Sequence, residues 1–75
     1  MTTEYKCWAA RGDDGWHCDV VLFDGAVRGE IRMYHNGVLK WTHPIELAEI
    51  AAFAAKRSDV IGPYLDGLMA LYREH

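Results

Sequence analysis

Residues 16–34 read WHCDVVLFDGAVRGEIRMY and decide the fold. On both sides of Asp24-Gly25 apolar and polar residues alternate, which is typical of strands because successive side chains point to opposite faces of a sheet. Asp-Gly is a favoured two-residue hairpin loop. With that loop the apolar residues of both strands share one face, in the pairs Leu22 with Val27, Cys18 with Ile31 and Trp16 with Met33. The stretch therefore predicts an antiparallel hairpin with one apolar face.

The next turn contains Asn36-Gly37. A two-residue loop at this dipeptide would pair Met33 with Lys40 and would mix the two faces. A three-residue loop, 35–37, with Gly37 as a left-handed bulge residue instead pairs Met33 with Leu39 and Ile31 with Trp41. We expect the three-residue loop, because a slip of one residue turns every apolar side chain of a strand outward.

The first turn is expected at residues 12–15, Gly-Asp-Asp-Gly. Pairing about the centre of this turn sets Cys7 opposite Val20 and Ala9 opposite Cys18, all on the apolar face. A slip of two residues would instead place Cys7 opposite Cys18, close enough for a disulfide. In a reducing compartment the two cysteines are better explained as small buried side chains.

From Thr42 onward the period becomes helical. Thr42 or His43 is expected to cap a first helix with Pro44 in its first turn. Its core stripe is expected to be Leu47, Ile50, Ala51 and Ala54. Residues 58–62 are interpreted as a connector, followed by a second helix over about residues 63–73, because proline is easily placed at a helix start. This helix is expected to bury Leu65, Leu68, Leu71 and Tyr72, and Gly67 in its middle suggests a close neighbour.

These elements predict a single α+β domain over residues 1–75, a four-stranded antiparallel meander sheet with two C-terminal helices. Both helices are expected on the Trp16, Val20, Ile31 and Trp41 face, which leaves the other face in solvent. No apolar run is long enough to cross a bilayer, and Met1 leads directly into polar residues. We therefore expect a cytoplasmic protein without a membrane partner.

Charge and motifs argue against several classes of function. Eleven acidic residues outnumber eight basic ones, for a net charge of -3, which disfavours non-specific nucleic-acid binding. The only serine, Ser58, has no histidine or aspartate at catalytic spacing. A catalytic thiol needs a cationic or helix-end setting that holds the thiolate, whereas Cys7 and Cys18 are expected on the core face of strands. The histidines lack the spacing of a zinc site. The sequence predicts no enzyme, no cofactor and no metal.

The outer sheet face carries the strongest functional signal. The expected registers place aromatic and basic side chains together on it, a combination typical of protein recognition surfaces. A plain solvated face with cross-strand pairs is the alternative. Phe53, on the polar side of the first helix, either packs against the second helix or contacts a partner. The predicted partner-binding residues are Trp8, Phe23, Arg28, Arg32, Tyr34, Lys40 and Phe53.

The order of elements over residues 15–75, with turns at Asp24-Gly25 and Asn36-Gly37, resembles that of some small phage anti-CRISPR proteins. The likeness is one of layout and shares no motif. It implies a non-enzymatic inhibitor that blocks a host complex by binding a protein surface. The alternative is a single-stranded nucleic-acid-binding domain, in which Trp8, Phe23 and Tyr34 stack on bases and Lys6, Arg28, Arg32 and Lys40 meet phosphates. A homodimer through an exposed strand or this face is a third possibility.

Overall fold

The computed structural model describes residues 3–73 and confirms the predicted α+β meander. Its strands are β1 (Glu4–Arg11), β2 (Trp16–Phe23), β3 (Arg28–His35) and β4 (Val38–Pro44), followed by α1 (Leu47–Ala55) and α2 (Ser58–Arg73). The strands are antiparallel and lie in the order β1-β2-β3-β4. Each strand therefore pairs with its neighbour in sequence, and β1 and β4 form the two edges.

The core lies between one face of the sheet and both helices. The smallest dimension of the molecule is 16 Å, which fits one sheet layer and one helix layer. The helices contribute Ile50, Phe53, Ile61, Leu65 and Met69. The sheet and the segment after it contribute Cys7, Cys18, Val20, Leu22, Ile31, Met33 and Ile45. Both helices cover the predicted face, and the opposite face, called the outer face below, has no helix of the described chain on it.

The turn between β2 and β3 has four residues, 24–27, so the predicted two-residue loop was wrong. Backbone N–H groups of Ala26 and Val27 both donate to the carbonyl of Phe23. Cys18 therefore pairs with Met33 rather than Ile31, a shift of two residues. Because side-chain direction repeats every two residues, the shift leaves the side chains of β2 and β3 on their predicted faces. Val27, which was expected to pair with Leu22 on the apolar face, instead lies in the turn and is 61% exposed.

The turn between β3 and β4 is the two-residue loop Asn36-Gly37, so the predicted three-residue loop was wrong. Asn36 and Gly37 have φ of 52° and 82°, the pair of positive values that a type I′ hairpin turn requires. Tyr34 pairs with Leu39 and Met33 pairs with Trp41, so an irregularity in the ladder absorbs one residue, Lys40. A β-bulge thus brings Trp41 to the core face despite the short loop.

A second bulge changes β1. The register with β2 shifts between Lys6 and Trp8, so that Cys7 is the extra residue and Trp8 pairs with Val20. Beyond the bulge Ala10, not Ala9, lies opposite Cys18. The predicted outward direction of Trp8 was therefore wrong, and this side chain packs against the core cluster. Both cysteines are free and buried, as the favoured interpretation held.

Helix α1 begins later than expected and presents a different side to the core. Residues 42–44 belong to β4, and Glu46 occupies the N-cap without a side-chain hydrogen bond. Of the predicted stripe only Ile50 is buried, whereas Leu47 is 78% exposed. Phe53 takes the central place, 1% exposed, with its ring 5.8 Å from that of Tyr64 in an edge-on arrangement. The first of the two alternatives for Phe53, packing against the second helix, is confirmed.

Helix α2 begins at Ser58, so the segment expected to be a connector forms its first turn and Pro63 lies inside it. Proline removes the hydrogen bond to the carbonyl four residues earlier. Burial of Ile61, 1% exposed, favours continuing the helix through this position. Leu65 and Met69 complete the buried stripe, while Leu71 is 55% exposed, contrary to expectation.

Candidate interaction surface

The outer face consists of four rows of side chains that run across the strands. Directly paired residues of antiparallel strands point to the same side, so the registers define the rows. In order, these rows are Glu4, Phe23 and Arg28; Lys6, Val21, Glu30 and Pro44; Ala9, Asp19, Arg32 and Thr42; and Arg11, His17, Tyr34 and Leu39. The first three rows are rich in charge, and the last carries the aromatic pair.

Arg32 organises the charged part of the outer face. Its Nε donates to Glu30 Oε1 at 2.8 Å, and its Nη2 donates to Glu4 Oε2 at 3.1 Å. Hydrogen bonds to Glu4 and to Glu30, in that order of weight, raise the pKa of Arg32 above its usual value. Its guanidinium also lies 6.0 Å from the centre of the Phe23 ring. Two carboxylates and one ring thus already engage this cation.

The other cations of the charged part are also paired. Lys6 Nζ lies 3.8 Å from Asp19 Oδ1, and Arg28 Nη2 lies 2.8 Å from Asp24 Oδ2. These pairs are largely exposed, so each contributes at most about 1 kcal/mol to stability. Val21, in the middle of this region, is only 4% exposed. In the charged part, the cations and carboxylates therefore neutralise one another in pairs around the buried Val21.

The fourth row, called the aromatic row below, comprises Arg11, His17, Tyr34 and Leu39. The rings of His17 and Tyr34 are parallel within 4°, with centres 4.7 Å apart. That separation matches the spacing of neighbouring strands, so the rings stand upright on the sheet and face one another. Leu39 at the end of the row is 50% exposed. The row therefore presents ring edges, a leucine and a guanidinium to solvent.

A shallow cleft opens at the other end of the outer face. It has a volume of about 370 Å³ and is lined by Glu4, Phe23, Arg28 and Gly29. Phe23 forms its apolar wall. The charged residues at its rim are already paired, Glu4 with Arg32 and Arg28 with Asp24. The cleft is large enough for one side chain of a bound protein, and such anchors fill pockets at protein interfaces.

Five of the seven predicted partner-binding residues remain available. Phe23, Arg28, Arg32 and Tyr34 lie on the outer face, and Lys40 is the exposed bulge residue next to Leu39. Trp8 is half-buried against the core cluster and Phe53 is fully buried, so neither lies on the outer face. Two residues outside the predicted set also belong to the outer face: His17, which stacks on Tyr34, and the exposed Leu39.

The sequence interpretation missed a second exposed surface, on α1. With Ile50 and Phe53 turned inward, the opposite side of this helix is lined by exposed apolar residues: Leu47, Ala48, Ala51, Ala54 and Ala55. We call this side the alanine face. A signal existed in the sequence, because Glu49 is the only polar residue of LAEIAAFAA. A helix that is apolar on every side has more apolar surface than one core can cover.

Both cysteine thiols of the described chain are buried in the core. Burial raises the pKa of the Cys18 thiol to about 11 and raises that of Cys7 as well, so neither is poised as a thiolate at neutral pH. Within residues 3–73 no three histidine, cysteine or carboxylate side chains converge in a way that could hold a metal ion. In the same range no helix is long and apolar enough to span a membrane.

No family model, curated protein or solved structure matches the chain. The likeness of layout to small phage anti-CRISPR proteins therefore stays a prediction.

Proposed function

We propose that this chain is a non-enzymatic protein-binding domain that acts through the outer face of its sheet. The observation that carries the proposal is the aromatic row, where His17 and Tyr34 are held rigid by mutual stacking at 4.7 Å beside an exposed leucine. Rigid aromatic groups lose little side-chain entropy on binding, which makes them effective contacts. The Phe23 cleft supplies a second anchor point on the same face.

Ion pairing favours a protein partner over nucleic acid. Of the four cations expected to meet phosphates, Lys6, Arg28 and Arg32 already bind carboxylates of this chain. Base stacking needs an open ring face, whereas His17 and Tyr34 cover one face of each other. The net charge of -3 adds long-range repulsion of a polyanion.

One observation supports nucleic-acid binding as a second candidate. Within residues 3–73, neither Arg11 nor Lys40 forms an ion pair, and both lie at the aromatic row or beside it. Two unpaired cations next to a tyrosine could grip a short stretch of phosphate backbone. Such binding would weaken steeply as salt rises, because phosphate contacts release counterions.

An inhibitor is the specific form of the proposal. A small domain that acts only by binding can inhibit a larger complex when it occupies a binding site of that complex. The likeness of layout to anti-CRISPR proteins implies this mode of action. The partner is then a protein of a host defence complex. Purified complexes of that kind should bind the chain in a one-to-one or fixed ratio and lose their access to DNA.

Affinity capture of the tagged chain from a host lysate, with and without nuclease, tests the proposal. Tyr34→Ala and Leu39→Ala should each weaken capture of a nuclease-resistant protein partner about tenfold or more, a change that corresponds to about 1.4 kcal/mol. Leu71→Ala is the matched control, since Leu71 is 55% exposed on α2 and Leu39 is 50% exposed on the aromatic row. The control should bind as the natural chain does.

Two results would contradict the proposal. A partner set that disappears with nuclease, together with salt-sensitive binding of a labelled oligo(dT) probe, would assign the surface to nucleic acid. Unchanged capture of the same protein by both aromatic-row variants would place the contact elsewhere on the molecule.

A further inference from the structure

The charges of the outer face are distributed unevenly between its rows. In the three charged rows every carboxylate is paired with a cation of the same face, and the remaining cation is paired with a residue of the adjoining turn. These pairs are Glu4 and Glu30 with Arg32, Asp19 with Lys6, and Arg28 with Asp24. Four carboxylates and three cations take part, so this side of the outer face has a net charge of -1.

The aromatic row has the opposite balance. Arg11 lies at its β1 end, and Lys40 is the exposed bulge residue beside Leu39 at its β4 end. In the part of the chain that the structure describes, neither cation forms an ion pair, and the turn carboxylates of Asp13 and Asp14 do not pair with Arg11 either. The row itself contains no carboxylate. Its two ends therefore offer two positive charges that this chain leaves unpaired.

The two cations lie at opposite ends of a strip with little charge. The row crosses four strands, which gives it a length of about 14 Å at the usual spacing of neighbouring strands. Between its ends lie the stacked rings of His17 and Tyr34 and the exposed side chain of Leu39. A partner that meets both cations must therefore present two anionic groups about 14 Å apart, with an apolar group between them.

We propose that the aromatic row binds an acidic segment of a partner protein, whose carboxylates meet Arg11 and Lys40 while an apolar side chain between them covers Leu39. This inference rests on the proposed function and names the chemistry of the partner. An extended segment spans such a distance in about five residues, and alternate side chains point to the same side. The segment then has an acidic residue, an apolar residue two positions later and a second acidic residue after two more.

The distribution of charge favours such a segment over nucleic acid. A nucleic-acid strand carries a charge at every phosphate, whereas a protein segment carries carboxylates only where cations await them. The net negative charge of the adjoining rows repels further phosphates. The exposed Leu39 gains from the cover of an apolar side chain, which a phosphate backbone does not supply.

Nuclear magnetic resonance titration of the isotope-labelled chain with three peptides tests the proposal. The probes are acetyl-Glu-Ala-Leu-Ala-Glu-amide, the analogue with both glutamates replaced by glutamine, and the analogue with both replaced by lysine. The acidic peptide should shift the amide signals of His17, Tyr34 and Leu39 at millimolar concentration. It should bind about threefold or more tightly than the glutamine peptide, because an exposed ion pair contributes a factor of up to about five.

Reversal of both cations gives the sharper test. Arg11→Glu combined with Lys40→Glu should remove the preference for the acidic peptide and create a preference for the lysine peptide. Arg11→Lys combined with Lys40→Arg keeps both charges and should keep the original preference. Lys56→Glu is the matched control, since Lys56 is an exposed cation at the end of α1, on the side of the sheet away from the outer face. Circular dichroism confirms that each variant is folded.

The capture experiment separates failure of this inference from failure of the proposed function. The double reversal should lower nuclease-resistant capture of the partner about tenfold or more, because two favourable charge contacts become repulsive. Capture that falls in Tyr34→Ala and Leu39→Ala but not in the double reversal would keep the proposed function and overturn the acidic partner. Capture that none of these variants changes would overturn both.

Two results with the purified chain would also overturn the inference. Equal binding of the acidic and the glutamine peptide would show that the row does not select carboxylates. Tighter binding of oligo(dT) than of the acidic peptide, weakened steeply by salt, would assign Arg11 and Lys40 to nucleic acid.

Discussion

Gly29 shows how one residue without a side chain organises the end of the sheet. A Cβ at this position would lie 2.6 Å from Leu22 Cδ2, 2.8 Å from Ile45 Cδ1 and 2.9 Å from the carbonyl oxygen of Val21. The backbone N–H of Ile45 donates to the carbonyl of Gly29 at 3.1 Å. Ile45 thus continues the pairing of β4 with β3, and the glycine leaves room on the core face for the side chains of Leu22 and Ile45 on either side of it.

Gly29→Ala is expected to lower the free energy of unfolding by about 1–3 kcal/mol, because one of the crowded atoms belongs to the backbone and cannot rotate away. Gly67→Ala is the matched control, since no atom lies within 4 Å of the added Cβ. That substitution should raise stability by up to about 1 kcal/mol, the difference in helix propensity. Urea unfolding of both variants measures the two effects, and equal effects of the same sign would refute the argument.

These two glycines also show a limit of sequence interpretation at this scale. Gly67 was expected to have a close neighbour because glycine is costly inside a helix, and the structure finds open space there. Gly29, which does have close neighbours, lies in an alternating strand pattern that gives no such hint. The contact with Ile45 depends on the register of β4 against β3, which a bulge shifts, and the local sequence around Gly29 does not encode that register.

Among the helices and strands, the largest error of the sequence interpretation was the side of α1 that it assigned to the core. Its sequence LAEIAAFAA is apolar on every side except at Glu49, so several stripes fit a helical period equally well. Phe53 decides between them, because an aromatic ring buries about 150–250 Å². The helix therefore turns Phe53 and Ile50 inward and leaves Leu47 exposed.

Phe53→Ala and Leu47→Ala form a pair that tests this orientation. Loss of the buried ring should cost about 3–5 kcal/mol of unfolding free energy. Loss of Leu47, which is 78% exposed, should change it by no more than about 0.5 kcal/mol. Thermal unfolding followed by circular dichroism measures both, with Phe53→Leu as the milder variant if Phe53→Ala does not fold. A reversed order of the two effects would restore the stripe predicted from the sequence.

For the strands, the sheet face to which side chains point was predicted well, and the cross-strand partner of each residue was predicted less well. Alternation fixed which side chains of β2 and β3 point to the core, and the two-residue error in their pairing left those sides unchanged. A bulge adds one residue and reverses the alternation beyond it, which is why the outward prediction failed for Trp8 after the bulge at Cys7. Neither Cys7 nor Lys40 has a residue type that announces a bulge. Of the site, Tyr34 and its neighbours on β2 and β3 were predicted, whereas the alanine face was missed although Glu49 is the only polar residue of α1.

For the whole molecule, the ionisable groups in and near the core make stability depend on pH. Burial raises the pKa of the Cys18 thiol from 9.0 to about 11. Burial, and then a hydrogen bond and charge interaction with Glu49, raise the pKa of Tyr64 from 10.0 to about 12. Both groups lose their protons more easily in the unfolded chain than in the folded one. The unfolded state therefore gains free energy of deprotonation first as the pH rises.

Stability should consequently be constant with respect to these groups below about pH 9 and should fall between about pH 9 and 12. Urea unfolding at a series of pH values measures this fall. Cys18→Ala removes the thiol, so its stability curve should decline less between pH 9 and 11, whatever its absolute stability. Tyr64→Phe should flatten the upper part of the window in the same way. An unchanged slope in Cys18→Ala would mean that burial does not raise the pKa of this thiol in the folded chain.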